Sequence, residues 1–256
     1  MKVFLLIIIF LNFSKGFAQE IENEFQTSIH YSSNQSKVKV DNNFKLKQLI
    51  IPTSFIGYGF FALNNNGLKS LNRSAKRNFN EDYYYTTTID NYLQYVPALS
   101  VYGLNALGVK GKNNFKNRTI MFGLSSVFSC LMVSPLKSIS NMERPDQSAF
   151  NSFPSGHTAT AFASAEFLHQ EYKDVSVWYG VGGYFIASLT GVLRVYNNRH
   201  WLSDIVTGAG IGILSTKAAY WIYPYIKRKL FKDKSSANKL LNAEDINKLP
   251  VETYDN

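Results

Sequence analysis

The chain has 256 residues and a formal charge of +9, from 27 Lys and Arg against 18 Asp and Glu, with 45% apolar and 18% charged residues. That length supports a full core, and that composition excludes a disordered polyelectrolyte. A single cysteine, Cys130, excludes an internal disulfide and a cysteine-rich metal site.

Residues 1–18 read as a cleaved signal peptide: Met1-Lys2 gives a basic start, Val3 to Phe13 an apolar run broken by Asn12, and Gly16-Phe17-Ala18 the small residues before a cut. Residues 19–47 form a polar N-terminal segment, and 48–91 a short apolar segment followed by a polar loop. The first apolar stretch, Leu49–Leu63, is expected to lie at the interface or against a bundle without spanning. Fifteen residues cover about 22 Å of a hydrocarbon core roughly 30 Å thick, and Pro52, Gly57 and Gly59 weaken the helix.

Residues 92–226 are expected to form a helical bundle. Tyr92–Val109, Thr119–Leu136 and Val175–Leu193 are apolar runs without charge; Ala159–Leu168 is interrupted by Glu166, and Ile205–Ile226 holds one Lys217. Runs of this length are spanning candidates, and their dense small residues suit close helix contact in lipid. The fold expected is all-α, a multi-pass transmembrane helical bundle with its site at one mouth. Residues 227–256 read as a polar, basic C-terminal tail. Cys130 reads as a small core residue, His169 as solvated at a helix end, and Tyr83-Tyr84-Tyr85 as part of a lipid-interface belt.

Charge placement favours a membrane. Lys110, Lys112, Lys116 and Arg118 lie between two apolar runs, and Lys227, Arg228, Lys229, Lys232 and Lys234 follow the last one. Short juxtamembrane basic clusters favour the cytoplasmic side, which puts segments 137–156 and 194–204 on the outer face. Nucleic acid is not expected, since these basic residues flank apolar helices without interleaved aromatics.

Three short stretches at the ends of the apolar runs carry chemistry: Lys137 with Arg144-Pro145, then Pro154-Ser155-Gly156-His157, then Arg194, His200 and Asp204. In an antiparallel bundle these ends meet on one face. Lys137, Arg144 and Arg194 then surround one point, and Arg forks match phosphate oxygens two at a time. Ser155 is a good N-cap, Gly156 lets the backbone come close, and the free N–H groups at that helix start form an anion seat. His200 and Asp204, four residues apart, share a helix face, so the carboxylate can fix the imidazole tautomer and leave its other nitrogen free to attack. His157 is available as a proton donor. Clustered cations without matching carboxylates ask for a bound oxyanion.

In order and spacing, Lys137…Arg144-Pro145, Pro154-Ser155-Gly156-His157 and Arg194…His200…Asp204 resemble the three-part signature of the phosphatidic acid phosphatase type 2 superfamily, over roughly residues 90–226. The resemblance implies a metal-independent phosphatase acting on a lipid phosphate or pyrophosphate, of the phosphatidate, phosphatidylglycerol phosphate, undecaprenyl pyrophosphate or lipid A class. It implies His200 as the nucleophile that forms a phosphohistidine, His157 as the proton donor to the leaving oxygen, and Asp204 as the support of His200. Lys137, Arg144, Ser155, Gly156 and Arg194 would bind the phosphoryl group, with no cofactor, no metal and no obligate protein partner. Leu193 stands where the family often has Ser, which removes a secondary hydroxyl contact. The expected place is a bacterial cell membrane with the site facing outward, or else a soluble or peripheral periplasmic protein. A soluble-substrate acid phosphatase and a vanadate-dependent haloperoxidase are the alternative activities.

Overall fold

The computed structural model describes residues 46–80 and 86–246. The expectations for the leader at 1–18, for the polar segment up to residue 45 and for Tyr83-Tyr84-Tyr85 lie outside the described residues. Among those described there are eight α-helices and no strand: α1 (Ile50–Asn64, after a 3₁₀ turn Leu46–Leu49), α2 (Asn66–Asn80), α3 (Asp90–Leu93), α4 (Val96–Ala106), α5 (Phe115–Ser140), α6 (Gly156–Tyr172), α7 (Val177–Tyr196) and α8 (Leu202–Ile246). The chain divides into two compact units, Met1–Ala219 and Tyr220–Asn256.

Local chemistry sets the helix starts. Asn114, Ser155 and Ser176 have extended backbones, and their side chains accept from Asn117, Thr158 and Trp178 N–H at the openings of α5, α6 and α7. At its other end α5 stops at Asn141, which takes the left-handed conformation (φ 43°) that ends helices.

The first unit is an antiparallel bundle whose close approaches depend on small residues. A Cβ on Gly212 would run into Ala159 O and Ala163 N, one on Gly208 would come within 2.5 Å of Ser155 O, and one on Gly59 would overlap Thr207. These glycines let α6 and α1 lie directly against α8. A core of Ala161, Phe162, Ala165, Tyr184, Ala187, Ala209 and Ile213 joins α6, α7 and α8.

The two charges that interrupt the apolar runs pair with each other: Lys217 Nζ lies 3.1 Å from Glu166 Oε1, and Glu166 also accepts from Gln170 and Tyr184. Buried charge is tolerated when paired and hydrogen-bonded in this way.

Among the described residues, three helices are long and apolar enough to cross a membrane, Leu46–Asn64, Phe115–Ser140 and Leu202–Arg228. Several expectations are corrected here. Leu49–Leu63 does not stay short, because the 3₁₀ turn extends it to 19 residues. Pro52 sits in its first turn, where the missing N–H is not needed, and Gly59 is a contact surface and not a weak point. Tyr92–Val109 is not one spanning helix; it breaks into α3 and α4, and the eleven residues of α4 cover only about 16 Å. The polar loop after α1 is the helix α2, which turns Ala75 and Asn72 inward and Arg73 and Arg77 outward. Residues 227–246, expected as a tail, are helical backbone rich in good helix formers.

Cys130 is exposed on α5 and not in the core, while His169 is buried against Gly180 and not solvated. Arg118 is no juxtamembrane surface charge. It is buried 3.8 Å from Glu171, and its guanidinium also donates to Asn113 O. Lys112 pairs with Asp174 at 3.7 Å.

Chain direction follows from these contacts. Gly59 of α1 meets Thr207, near the start of α8, and Pro52 meets Gly210, farther along it, so α1 runs toward the end where α8 begins. Tyr172 OH, at the close of α6, donates to Val101 O and Val109 O, so α4 runs toward the close of α6 and away from the end where α8 begins. The end of α1, the start of α3, the end of α5, the start of α6, the end of α7 and the start of α8 therefore share one mouth of the bundle.

Candidate active site

Each predicted site residue lies at that mouth. Lys137 is in the last turn of α5, Arg144 in the loop before α6, Ser155, Gly156 and His157 at the opening of α6, and Arg194 in the last turn of α7. His200 precedes α8 and Asp204 lies in its first turn. His200 is thus not on the helix with Asp204, as the spacing of four suggested; the chain bends at Trp201 and brings the imidazole back toward the carboxylate.

The opening of α6 is bolted to the opening of α8, because Ser155 N–H donates to Asp204 O at 3.0 Å. Ser155 Oγ accepts from Thr158 N–H at 3.4 Å and from Thr158 Oγ1 at 2.9 Å, so this buried hydroxyl is first of all a cap. A Cβ on Gly156 would stand 3.9 Å from Lys137 Cε, which places the lysine stem across the start of α6. Lys137 Nζ donates to Asn151 O at 2.7 Å and Arg144 Nε to Asn151 Oδ1 at 2.8 Å, so one residue of the loop gathers both cations.

The buried pair at the centre is His200 and Asp204, 2% and 0% exposed, with Nδ1 and Oδ2 3.5 Å apart. That separation is longer than a hydrogen bond and gives charge attraction only when the ring is protonated. Oδ2 is held by Trp201 N–H at 2.9 Å and by the Ser152 hydroxyl, which fix the carboxylate plane. With Nδ1 turned to Asp204, Nε2 is the nitrogen on the free side of the ring. Burial lowers the His200 pKa, with Lys137 and Arg194 acting in the same direction and Asp204 opposing them, so the ring favours its neutral, nucleophilic form.

His157 comes from the opposite helix. Its Nε2 lies 2.9 Å from Asn91 Oδ1, and because an amide oxygen only accepts, Nε2 carries the proton. Its pKa is lowered to about 4, first by burial and then by Arg194, with His200 and Lys137 adding to the effect and Asp90 opposing it.

Arg194 departs from expectation. It has a carboxylate of its own, Asp90, at 2.6 Å, and Asp90 also accepts from Asn197 at 3.3 Å. Arg194 Nε, His200 Nδ1 and Asp204 Oδ1 are buried without a hydrogen-bond partner, an arrangement that native interiors rarely leave outside functional sites.

Sequence reasoning missed Asp90, Asn91, Ser152, Asn151 and the helix α2. Asn72 exchanges hydrogen bonds with Ser203 at 2.9 and 3.1 Å, and Lys76 donates to Pro145 O at 2.6 Å and lies over the Trp201 ring. The readable signal for Asp90 was a carboxylate opening an apolar run with no base near it in sequence, which demands a partner from elsewhere.

Residues 118–228 match the model of the PAP2 superfamily. Lipid A 1-phosphatase of Porphyromonas gingivalis is 43% identical over 143 residues, covering 56% of this chain and 32% of that protein, so the chain spans about a third of the length of the curated relative it matches. Among solved structures, the transmembrane PAP2-type phosphatidylglycerolphosphate phosphatase from Bacillus subtilis superposes with a TM-score of 0.50 at 22% identity, over 70% of this chain and 98% of that one. LpxE from Aquifex aeolicus superposes with a TM-score of 0.44 at 25% identity, over 59% and 94%. The matched residues take in α5, α6 and α7 and the opening of α8, from which Lys137, His157, Arg194, His200 and Asp204 project, and over that stretch the chain is similar to the PAP2 superfamily.

Proposed function

We propose that the chain is a phosphatase that hydrolyses the phosphate ester or pyrophosphate of a lipid through a phosphohistidine on His200. The observation that carries this reading is the buried His200–Asp204 pair facing three cations and a second histidine across a capped helix start. His200 Nε2 attacks phosphorus, the bond to the leaving oxygen breaks, and His157 gives that oxygen its proton. Water then attacks the phosphohistidine, His157 takes a proton from it, and phosphate departs with His200 restored.

Lys137, Arg144 and Arg194 neutralise the equatorial oxygens, and the N–H groups opening α6 add fixed dipoles. Exposed Ile139 and Phe150 flank Lys137 and Asn151, giving the cationic mouth an apolar rim suited to a lipid. The lipid A class ranks first among substrates because the relative at 43% identity is a lipid A 1-phosphatase.

Phosphate release by the purified protein from lipid A, phosphatidylglycerol phosphate, undecaprenyl pyrophosphate and p-nitrophenyl phosphate tests this. Release is expected to persist in EDTA and to be inhibited by vanadate, which mimics the phosphoryl transition state. Absence of release from every substrate, or strict dependence on added Mg²⁺, would overturn the reading.

We propose further that the mouth faces outward, supported by Lys110 in the short connection at the far end and Lys116 in the first turn of α5. Because α1 runs toward the mouth, this orientation requires residue 46 to lie on the inner side. A leader cut before Gln19 would deliver residue 46 to the outer side, so the expectations of a cleaved leader and of an outward site exclude each other once α1 crosses. In a Cys130→Ser background, a cysteine replacing exposed Ser148 is expected to react with an impermeant reagent in intact cells, and one replacing exposed Val175 only after permeabilisation. The reverse pattern would place the site inside.

A further inference from the structure

We infer that α3 is a positioning element for the reaction proposed above, with Asn91 setting the ring of His157 and Asp90 setting the guanidinium of Arg194. The inference rests on that reading of the site. The two residues are neighbours on a four-residue helix, yet their partners lie 66 and 104 residues away on α6 and α7. Asp90 is 1% exposed, while Ile89, Tyr92 and Tyr95 around it point outward. An isolated turn in water would bury the apolar residues and expose Asp90, so something other than water has set this arrangement.

The segment is also clamped from both sides. Asn197, just past α7, accepts from Thr87 N–H at 3.0 Å, donates to Thr87 O at 2.9 Å and donates to Asp90 Oδ1 at 3.3 Å. The pair is therefore held against the end of α7 by a residue adjacent to the site.

The choice of side chain fits each task. His200 is supported by a carboxylate, which makes an imidazole more basic and suits a nucleophile. His157 is supported by a neutral amide. Asn91 Oδ1 accepts from Nε2–H in the neutral and in the protonated ring alike, so it fixes orientation and leaves Nδ1 as the nitrogen that delivers the proton. A carboxylate at this position would hold the proton more tightly and would repel the phosphoryl group. At Arg194, Asp90 takes Nη1 and leaves the edge that carries Nε, which is buried and lacks a partner, to meet phosphoryl oxygens.

The test compares turnover of a lipid phosphate, whose leaving oxygen must be protonated, with turnover of p-nitrophenyl phosphate, whose leaving group needs little help. In Asn91→Ala the lipid phosphate is expected to slow by about 10-fold or more and p-nitrophenyl phosphate by under about 3-fold, a share of the 10²–10⁴-fold that general acids supply. The ratio between substrates is independent of the fraction of protein folded, and Asn91→Gln, which moves the amide by one methylene, gives the same readout if Asn91→Ala does not accumulate. Adding Asn91→Ala to His157→Ala should cost nothing further, since Asn91 acts through that ring. For Asp90→Asn the expected result is a rise in KM of about 10-fold that disappears in an Arg194→Ala background, as interacting residues are non-additive.

Equal slowing of both substrates by Asn91→Ala, or losses that multiply with His157→Ala, would reduce Asn91 to a structural residue and leave the phosphatase reading standing. A KM effect of Asp90→Asn that persists without Arg194 would do the same for Asp90. A wild-type protein that releases no phosphate from either substrate would overturn the phosphatase reading and the role of α3 with it.

Discussion

His200→Ala is expected to reduce phosphate release by at least about 10³-fold on every substrate and to leave no phosphorylated enzyme to trap, the scale seen when a nucleophile is deleted. The reason is covalent: the other imidazole at the mouth, His157, is turned to Asn91 through Nε2 and serves as the proton donor. Lys137 and Arg144 are cations gathered at Asn151, and Asp204 is a carboxylate held by Trp201 N–H and Ser152.

Asp204→Asn should fall between wild type and His200→Ala. Its amide oxygen can keep the place of Oδ2, accepting from Trp201 N–H and still facing His200 Nδ1, but without the carboxylate's charge it supports the imidazole less as positive charge develops on the ring. An alkaline quench during turnover should trap an acid-labile, alkali-stable phosphoenzyme in wild type, less in Asp204→Asn, and none in His200→Ala. A phosphoryl label that persists in His200→Ala would remove this residue from the nucleophile's role.

The parts of this site that were legible in the sequence are those where one local rule decides the outcome. Ser155 before Gly156 reads as a helix start because an N-cap serine satisfies orphan N–H groups, and α6 begins there. Lys137, Arg194 and the bend at His200 could be placed together because short connections force antiparallel neighbours.

What stayed hidden depends on long-range pairing, which no local pattern encodes. Glu166 and Lys217 each looked like a flaw in an apolar run, and only their meeting at 3.1 Å shows why both are tolerated. Arg194 looked like an unpaired phosphate ligand because Asp90 is 104 residues away. Arg118 looked like a topogenic surface charge because Glu171 is on another helix. Cys130 was misplaced for a different reason: in a bundle meant for lipid, an apolar run has an outward face as apolar as its inward one, so hydrophobicity does not tell core from surface. The helix α2 was missed because its Asn, Ser, Arg and Lys residues read as loop, whereas Asn72, Ala75 and Lys76 give it a single packed face.

His157→Ala should divide substrates by leaving group and by pH. Its pKa of about 4 means that above this value the free site holds a neutral imidazole, without the proton that the leaving oxygen needs. Burial and Arg194 are the main causes, and a bound phosphate counters the second by adding negative charge beside the ring, so binding raises the pKa and draws a proton into the complex. The productive encounter is therefore neutral His157 with a phosphate that brings its own proton, or the equivalent charged pair. For a lipid phosphate, kcat/KM should fall as pH rises through the second ionisation of the phosphate, near pH 6, because that shared proton is lost.

In His157→Ala the same substrate should lose about 10²-fold or more, the usual contribution of a general acid. p-Nitrophenyl phosphate should lose far less, and its kcat/KM in the variant should depend on pH less steeply than that of the lipid phosphate in wild type, since its leaving group departs without protonation. His200→Ala offers the control, because no leaving group can rescue a missing nucleophile. An activated substrate that rescues both histidine variants equally, or a lipid phosphate whose kcat/KM rises through pH 6 in wild type, would show that His157 does not deliver the proton.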